Sequence, residues 1–145
     1  MRWYFDTSVI VAAAIEGHER NGITLAVLEE LARDRHHGVV SAHTIAELYS
    51  VVTKLPSPLG LSPAQAKAVV ESLILNRMEI ITLTRSDYEI AMKRCSEANW
   101  ISGRIYDAIH IQCALKAQCE RIYTLDARDF RVLCPEGIQT RLVVL

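Results

Sequence analysis

The sequence contains no apolar run approaching the roughly 18 residues that a membrane-spanning helix requires. Its start, Met1-Arg2-Trp3-Tyr4, lacks the long apolar stretch and small-residue cleavage site of a secretion signal. Both absences point to a cytoplasmic protein with no membrane partner. Its four cysteines, Cys95, Cys113, Cys119 and Cys134, form no C-x-x-C pair, and no histidine stands at zinc-finger spacing from them. Cys95 and Cys113 fall inside helical patterns and read as small core hydrophobes. Charge of one sign is also missing. A formal charge of −1 excludes a generally basic nucleic-acid binder, so a phosphate-bearing substrate needs a local attractor such as a bound metal ion. There is no internal repeat and no low-complexity tract. The one clear break, Pro56-Ser57-Pro58-Leu59-Gly60, is too short to link domains. A chain of 145 residues, 50% apolar and 23% charged, is therefore expected to form one globular domain with its own core.

What is present is an alternation of short apolar strands and helices. Trp3-Tyr4-Phe5 reads as a buried strand, followed by an Ala-rich helix from Val9 to Ile15 started by Asp6 or Thr7. A second helix spans Thr24 to Arg35, with Gly38 as its terminator, and Val39-Val40-Ser41 is the second strand. Thr44-Ile45-Ala46-Glu47 has the form of a capping box opening a helix to about Lys54, and Ser62-Pro63-Ala64-Gln65 starts another. Ile80 to Leu83 reads as the third strand. Ser86-x-x-Glu89 caps the next helix, whose inner face carries Tyr88, Ala91, Met92 and Cys95. After a loop from Asn99 to Tyr106, a largely apolar helix runs from Asp107 to about Gln118. Arg121 to Leu125 is the fourth strand and Leu142 to Leu145 the fifth. This pattern predicts an α/β domain, a mainly parallel sheet of four to five strands with helices on both faces.

In such sheets ligands bind beyond the C-terminal ends of the strands. Asp6 follows strand one and Asp126 follows strand four. Glu47 lies near the start of the helix after strand two, and Asp107 opens the helix that precedes strand four. Topology alone thus brings four acids to one rim. At roughly 5 Å and an effective dielectric of about 20, each like-charged pair repels by about 3 kcal/mol. Cations or retained protons must relieve that repulsion. All-oxygen ligands favour Mg²⁺ or Mn²⁺ over zinc. Each acid also has a purely structural explanation. Asp6 and Asp107 fit as helix caps, Glu47 as the far end of the capping box begun by Thr44, and Asp126 as a turn residue. None of these explanations requires all four to share an edge.

Asp6-Thr7-Ser8 after the first strand, the helical Glu47, Tyr106-Asp107-Ala108-Ile109-His110 and Tyr123-Thr124-Leu125-Asp126-Ala127-Arg128-Asp129-Phe130 together resemble the PIN domain. The nearest likeness is to the small single-domain ribonucleases of the VapC toxin type, over essentially the whole chain. The resemblance implies a three-layer α/β/α fold and a Mg²⁺- or Mn²⁺-dependent endoribonuclease that hydrolyses RNA by in-line attack of a metal-activated water. It makes Asp6, Glu47 and Asp107 the principal ligands and Asp126 the fourth, with Asp129 a less suitable substitute. Thr7, Ser8 and Thr124 would orient carboxylates or water, and Arg104 and Arg128 would hold the RNA backbone. His110, one helical turn after Asp107, fits packing better than a supporting hydrogen bond, and Trp100 fits packing better than base stacking. The resemblance further implies a homodimer and a cognate antitoxin whose C-terminal segment covers the acids. Three alternatives remain: a nuclease of RNA processing, one acting on single-stranded DNA, and a non-catalytic cation-binding module. A receiver-like domain is disfavoured because no lysine follows Lys116. An aspartyl-nucleophile phosphatase is disfavoured because Asp6-Thr7-Ser8-Val9-Ile10 lacks the second aspartate of D-x-D-x-T.

Overall fold

In the computed structural model, which describes residues 1–135 and 137–145, five parallel strands form one sheet in the order β3-β2-β1-β4-β5. The strands are β1 (Arg2–Phe5), β2 (His37–Ser41), β3 (Met78–Ile81), β4 (Arg121–Thr124) and β5 (Leu142–Val144). Between them run α1 (Thr7–Ala14), α2 (Asn21–Arg33), α3 (Ala42–Lys54), α4 (Pro63–Val70), α5 (Arg85–Glu97), α6 (Arg104–Lys116) and α7 (Ala127–Leu133). Alternation along the strands divides the core into two halves. Trp3, Phe5, Val40 and Tyr123 face a cluster completed by Val9 and Ile10 of α1, Leu31 of α2, Leu48 and Val52 of α3, and Ala66 and Val70 of α4. Tyr4, Val39 and Ile122 face Ala91 of α5, Ile109, Ile111 and Cys113 of α6, and Phe130 and Leu133 of α7. This is the expected three-layer α/β/α arrangement. Strands buried on both faces read as continuous apolar runs rather than as alternating ones.

The chain steps outward from β1 to β2 and β3, then crosses back to place β4 on the other side of β1. The direction of winding therefore reverses between β1 and β4, where a crevice opens beyond the strand ends. Phe5 pairs with Tyr123, and the Asp6 amide donates to the Tyr123 carbonyl at 3.0 Å. Asp6 and the end of β4 are thus locked side by side at the reversal point.

Several boundaries differ from expectation, each for a local reason. Helix α2 ends at Arg33, and Arg35 rather than Gly38 takes the left-handed conformation, with φ of 54°. Gly38 lies inside β2, where an added Cβ would meet Leu31 Cδ2 at 2.9 Å, so close packing rather than chain reversal demands glycine there. Strand β3 starts at Met78, two residues early, with Val40 paired to Ile80. Helix α3 is capped by Ser41, whose side chain accepts from the His43 amide at 3.0 Å, so Thr44 is not a cap. Helix α6 begins at Arg104, inside the expected loop. The Ser62–Gln65 capping box forms as read.

Helix α5 is capped by a box of Thr84 and Asp87 in place of Ser86 and Glu89. Its buried face carries Asp87, Ala91 and Cys95, and Tyr88 and Met92 are exposed rather than turned inward. Asp87 also ties α5 to α6, accepting from Gln112 Nε2 at 3.0 Å and from Lys116 Nζ at 2.6 Å. The Lys116 ammonium, the Thr84 amide and Gln112 together hold its carboxyl well below the usual carboxylate range. A depressed pKa contributes stability that is present above the unfolded value, near 4, and is lost as pH falls toward the folded value. Asp87→Asn is expected to cost about 2–3 kcal/mol at pH 7, because it removes the charge partner of Lys116. Urea unfolding will show this gap narrowing as pH falls below about 4.

Candidate functional site

At the reversal point Asp6, Glu47, Asp107 and Asp126 line one cleft of about 380 Å³, together with Thr7, Ser8, His18, Tyr106 and His110. All four predicted acids reach it, from four separate elements. None of Asp6, Glu47 and Asp107 acts as a cap, while Asp126 does occupy the turn between β4 and α7. Asp6 and Asp126 stand at the N-cap positions of α1 and α7, yet neither side chain makes a capping hydrogen bond. Glu47 lies in the second turn of α3, freed from capping by Ser41, and Asp107 lies in the first turn of α6, after its cap at Gly103.

The hydroxyls are spent on the carboxylates. Ser8 Oγ donates to Asp6 Oδ2 at 2.7 Å and Thr124 Oγ1 to the same oxygen at 2.9 Å. Backbone amides hold these hydroxyls in turn, Leu125 N donating to Ser8 Oγ at 3.2 Å and Asp126 N to Thr124 Oγ1 at 3.0 Å. Thr7 Oγ1 donates to Glu47 Oε2. The resemblance implied that Thr7, Ser8 and Thr124 orient carboxylates, and all three hydroxyls lie against them.

His110 is the member that sequence reasoning undervalued. It is buried to 2% exposure, with Nε2 at 3.3 Å from Glu47 Oε2 and 3.6 Å from Asp6 Oδ1. Its spacing three residues after Asp107, on the same side of α6, was the available signal. Burial alone would lower its pKa, but the Glu47 hydrogen bond and the charges of Asp6, Glu47 and Asp107 overcome this and raise it. Burial would likewise raise Glu47, whose hydrogen bonds from His110 and Thr7 instead hold it below the ordinary value. Asp107 has no such support. Burial, then the charges of Asp6, Asp129 and Asp126, push its pKa up to about 7.

The remaining candidates separate. Arg104 and Arg128 are exposed, and Arg104 lies 4.3 Å above the Trp100 ring and 3.7 Å from Asp129. Trp100 packs against the α5–α7 core half, as its packing reading required. Asp126 lines the cleft, whereas Asp129 faces Arg104. All four thiols are buried and their pKa values raised by that burial, Cys119 to about 12 and Cys134 to about 11, which leaves no thiolate nucleophile at neutral pH. A larger groove of about 720 Å³ lies between α3 and α4, but its charged lining is the mutually paired Lys67 and Glu71. Volume does not locate the chemistry here.

The donor set suits a hard divalent cation. It consists of carboxylate and hydroxyl oxygens, and among the described residues no lysine or arginine pairs with any of the four acids. The carboxylates line the cleft without closing on a single point. As they stand, no three His, Cys, Asp or Glu side chains among the described residues are spaced to hold an ion. Burial first, and then the neighbouring charges of Asp6, Asp129 and Asp126, raise the Asp107 pKa.

A family profile described as PIN domain matches residues 3–134. Ribonuclease VapC40 of Mycobacterium tuberculosis is 29% identical over 123 residues, covering 85% of each chain. Among solved structures, VapC20 of M. tuberculosis, described as a sarcin–ricin loop cleaving toxin, superposes with a TM-score of 0.69. It is 17% identical, over 88% of this chain and 92% of its own. VapBC2 of Rickettsia felis, bound to a DNA fragment from its promoter, gives a TM-score of 0.67 at 20% identity, over 90% and 92%. The likeness to these two structures extends to the fold.

Proposed function

Because the chain belongs to the PIN-domain family, we propose that it is a divalent-metal-dependent endoribonuclease, the toxin of a toxin–antitoxin pair. The observation that carries this reading is the convergence of Asp6, Glu47, Asp107 and Asp126 at the sheet's reversal point, with no cap or lysine to account for them. Asp6, Glu47 and Asp107 would hold Mg²⁺ or Mn²⁺, with Asp126 the fourth ligand. The cation, when bound, supplies an activated water, polarises the phosphodiester and stabilises the leaving oxygen. Ser8 and Thr124 fix the Asp6 carboxylate, and Thr7 fixes that of Glu47. Arg104 and Arg128 are exposed and would contact backbone phosphates, Arg104 from its place over Trp100 and beside Asp129.

The partners follow from the same reading. A named relative is a ribonuclease, and the R. felis structure contains a VapB partner with its VapC, which supports an antitoxin here. The α3–α4 groove, lined by Ile45, Tyr49, Val70 and Leu75, offers apolar surface of the kind that a protein partner covers. A homodimer belongs to the same proposal. No helix among the described residues is long and apolar enough to cross a membrane.

The test is cleavage of end-labelled RNA and single-stranded DNA of the same sequence in Mn²⁺ or Mg²⁺. Internal cuts in RNA alone are expected. Equal cutting of DNA would favour a general single-strand nuclease, and metal binding without cleavage of either would favour a non-catalytic cation module. A small protein with a DNA-binding N-terminus encoded immediately upstream is the expected antitoxin.

A further inference from the structure

We infer that Tyr4 and His110 form a buried hydrogen-bonded chain that positions the Glu47 carboxylate for the cation, an inference that rests on the metal-dependent reading above. Tyr4 of β1 lies two residues before Asp6, which follows the strand's end, and faces the core half built on α6. His110 lies one turn beyond Asp107 on α6, which packs on that face. The two rings therefore meet beneath the acids, and both are essentially inaccessible to water.

Buried polar atoms need partners, and the partners here assign the protons. The Tyr4 hydroxyl lies 2.7 Å from His110 Nδ1. With the phenol donating to Nδ1 the ring proton is on Nε2, and in the imidazolium, where Nδ1 donates to the phenol oxygen, Nε2 carries a proton as well. That N–H faces Thr7 Oγ1 at 3.2 Å and Glu47 Oε2 at 3.3 Å. Thr7 directs its own hydrogen to Glu47, so its oxygen is free to accept from Nε2. Glu47 Oε2 is thus held from two sides, while Oε1 lies 3.5 Å from His43 Nε2 and takes neither of these bonds. Apolar residues would fill the Tyr4 and His110 positions at lower desolvation cost. The polar pair aims one fixed donor at a ligand carboxylate. Tyr4 and His110 are positioning residues: Tyr4 does not line the cleft, and His110, at its wall, bonds to Glu47 and Thr7.

The test is Mn²⁺ affinity, followed by the electron paramagnetic resonance of free Mn²⁺, in the wild type, Tyr4→Phe, His110→Ala and the double variant. Groups that hold metal ligands typically change metal affinity by about 10–100-fold when removed. Both single variants are expected to bind Mn²⁺ at least about 10-fold more weakly, with cleavage recovering toward wild type as Mn²⁺ is raised. Tyr4→Phe should cost little further once His110 is gone, because the hydroxyl acts only through the imidazole. Should His110→Ala fail to fold, Tyr4→Phe, which keeps the ring, carries the test alone. Wild-type or tighter Mn²⁺ affinity in Tyr4→Phe would overturn the inference, as would an undiminished effect in the His110→Ala background. Failure of the wild type to bind Mn²⁺, or undiminished binding by Asp6→Asn, would instead refute the metal reading itself.

Discussion

Asp107→Asn is expected to abolish RNA cleavage, by about 10³-fold or more, while leaving the fold intact. Losing one ligand of a catalytic cation removes several kcal/mol of transition-state stabilisation, and about 4 kcal/mol already corresponds to roughly 10³ in rate. The same substitution should stabilise the chelated protein. Burial and the charges of Asp6, Asp129 and Asp126 raise the Asp107 pKa to about 7. In the unfolded chain the group ionises near pH 4. A raised carboxyl pKa destabilises the fold increasingly as pH climbs from about 4 to 7, and by a constant amount above that. Asparagine removes that penalty. Asp107 is only partly buried, so solvent screening limits the gain to roughly 1–2 kcal/mol, or several degrees in Tm. Thermal melts in chelator should show Asp107→Asn above wild type at pH 8 and level with it near pH 4. A variant that is inactive because it is unfolded would melt lower at both.

Mn²⁺ should raise the melting temperature of the chelated wild type. At a free concentration 100 times its dissociation constant, a ligand that binds only the folded state adds about 2.7 kcal/mol, or roughly 5–10 °C for a chain of this size. The effect should be larger at pH 8 than at pH 6, because the ion must displace the proton that Asp107 retains at the lower pH. In Asp6→Asn the shift should shrink to near zero, since Asp6 is the carboxylate held by both Ser8 and Thr124 and the most rigidly presented ligand. Scanning calorimetry at the two pH values measures both.

The parts of the structure legible in the sequence were those that depend on few residues at short range. Apolar runs marked the strands, and the rule that ligands bind beyond strand ends placed Asp6 and Asp126 together before any coordinate was known. The helix starts were harder. Thr44-x-x-Glu47 satisfies the pattern of a capping box, but Ser41 takes the cap because β2 delivers it to the helix end with its side chain directed at the His43 amide. That displacement frees Glu47 for the cleft and leaves Thr44 buried, its hydroxyl 3.1 Å from that of Thr7. Likewise Thr84 and Asp87 outcompete Ser86 and Glu89, since Asp87 also finds Gln112 and Lys116 on α6. His110 was least legible. A histidine on an apolar helix is ambiguous until its neighbours are known, and here they come from residues 4, 6, 7 and 47, far away in sequence.

The central claim is that the four-acid cleft cleaves RNA through a divalent cation. Its most direct test is the rate of cutting of a fluorophore-labelled single-stranded RNA by the purified protein in chelator, followed by stepwise return of Mn²⁺, with Asp6→Asn run in parallel. Cleavage that is absent in chelator, returns with Mn²⁺ in the wild type and stays absent in Asp6→Asn is the predicted result. Cutting that persists in chelator, or that Asp6→Asn retains at the wild-type rate, would contradict it.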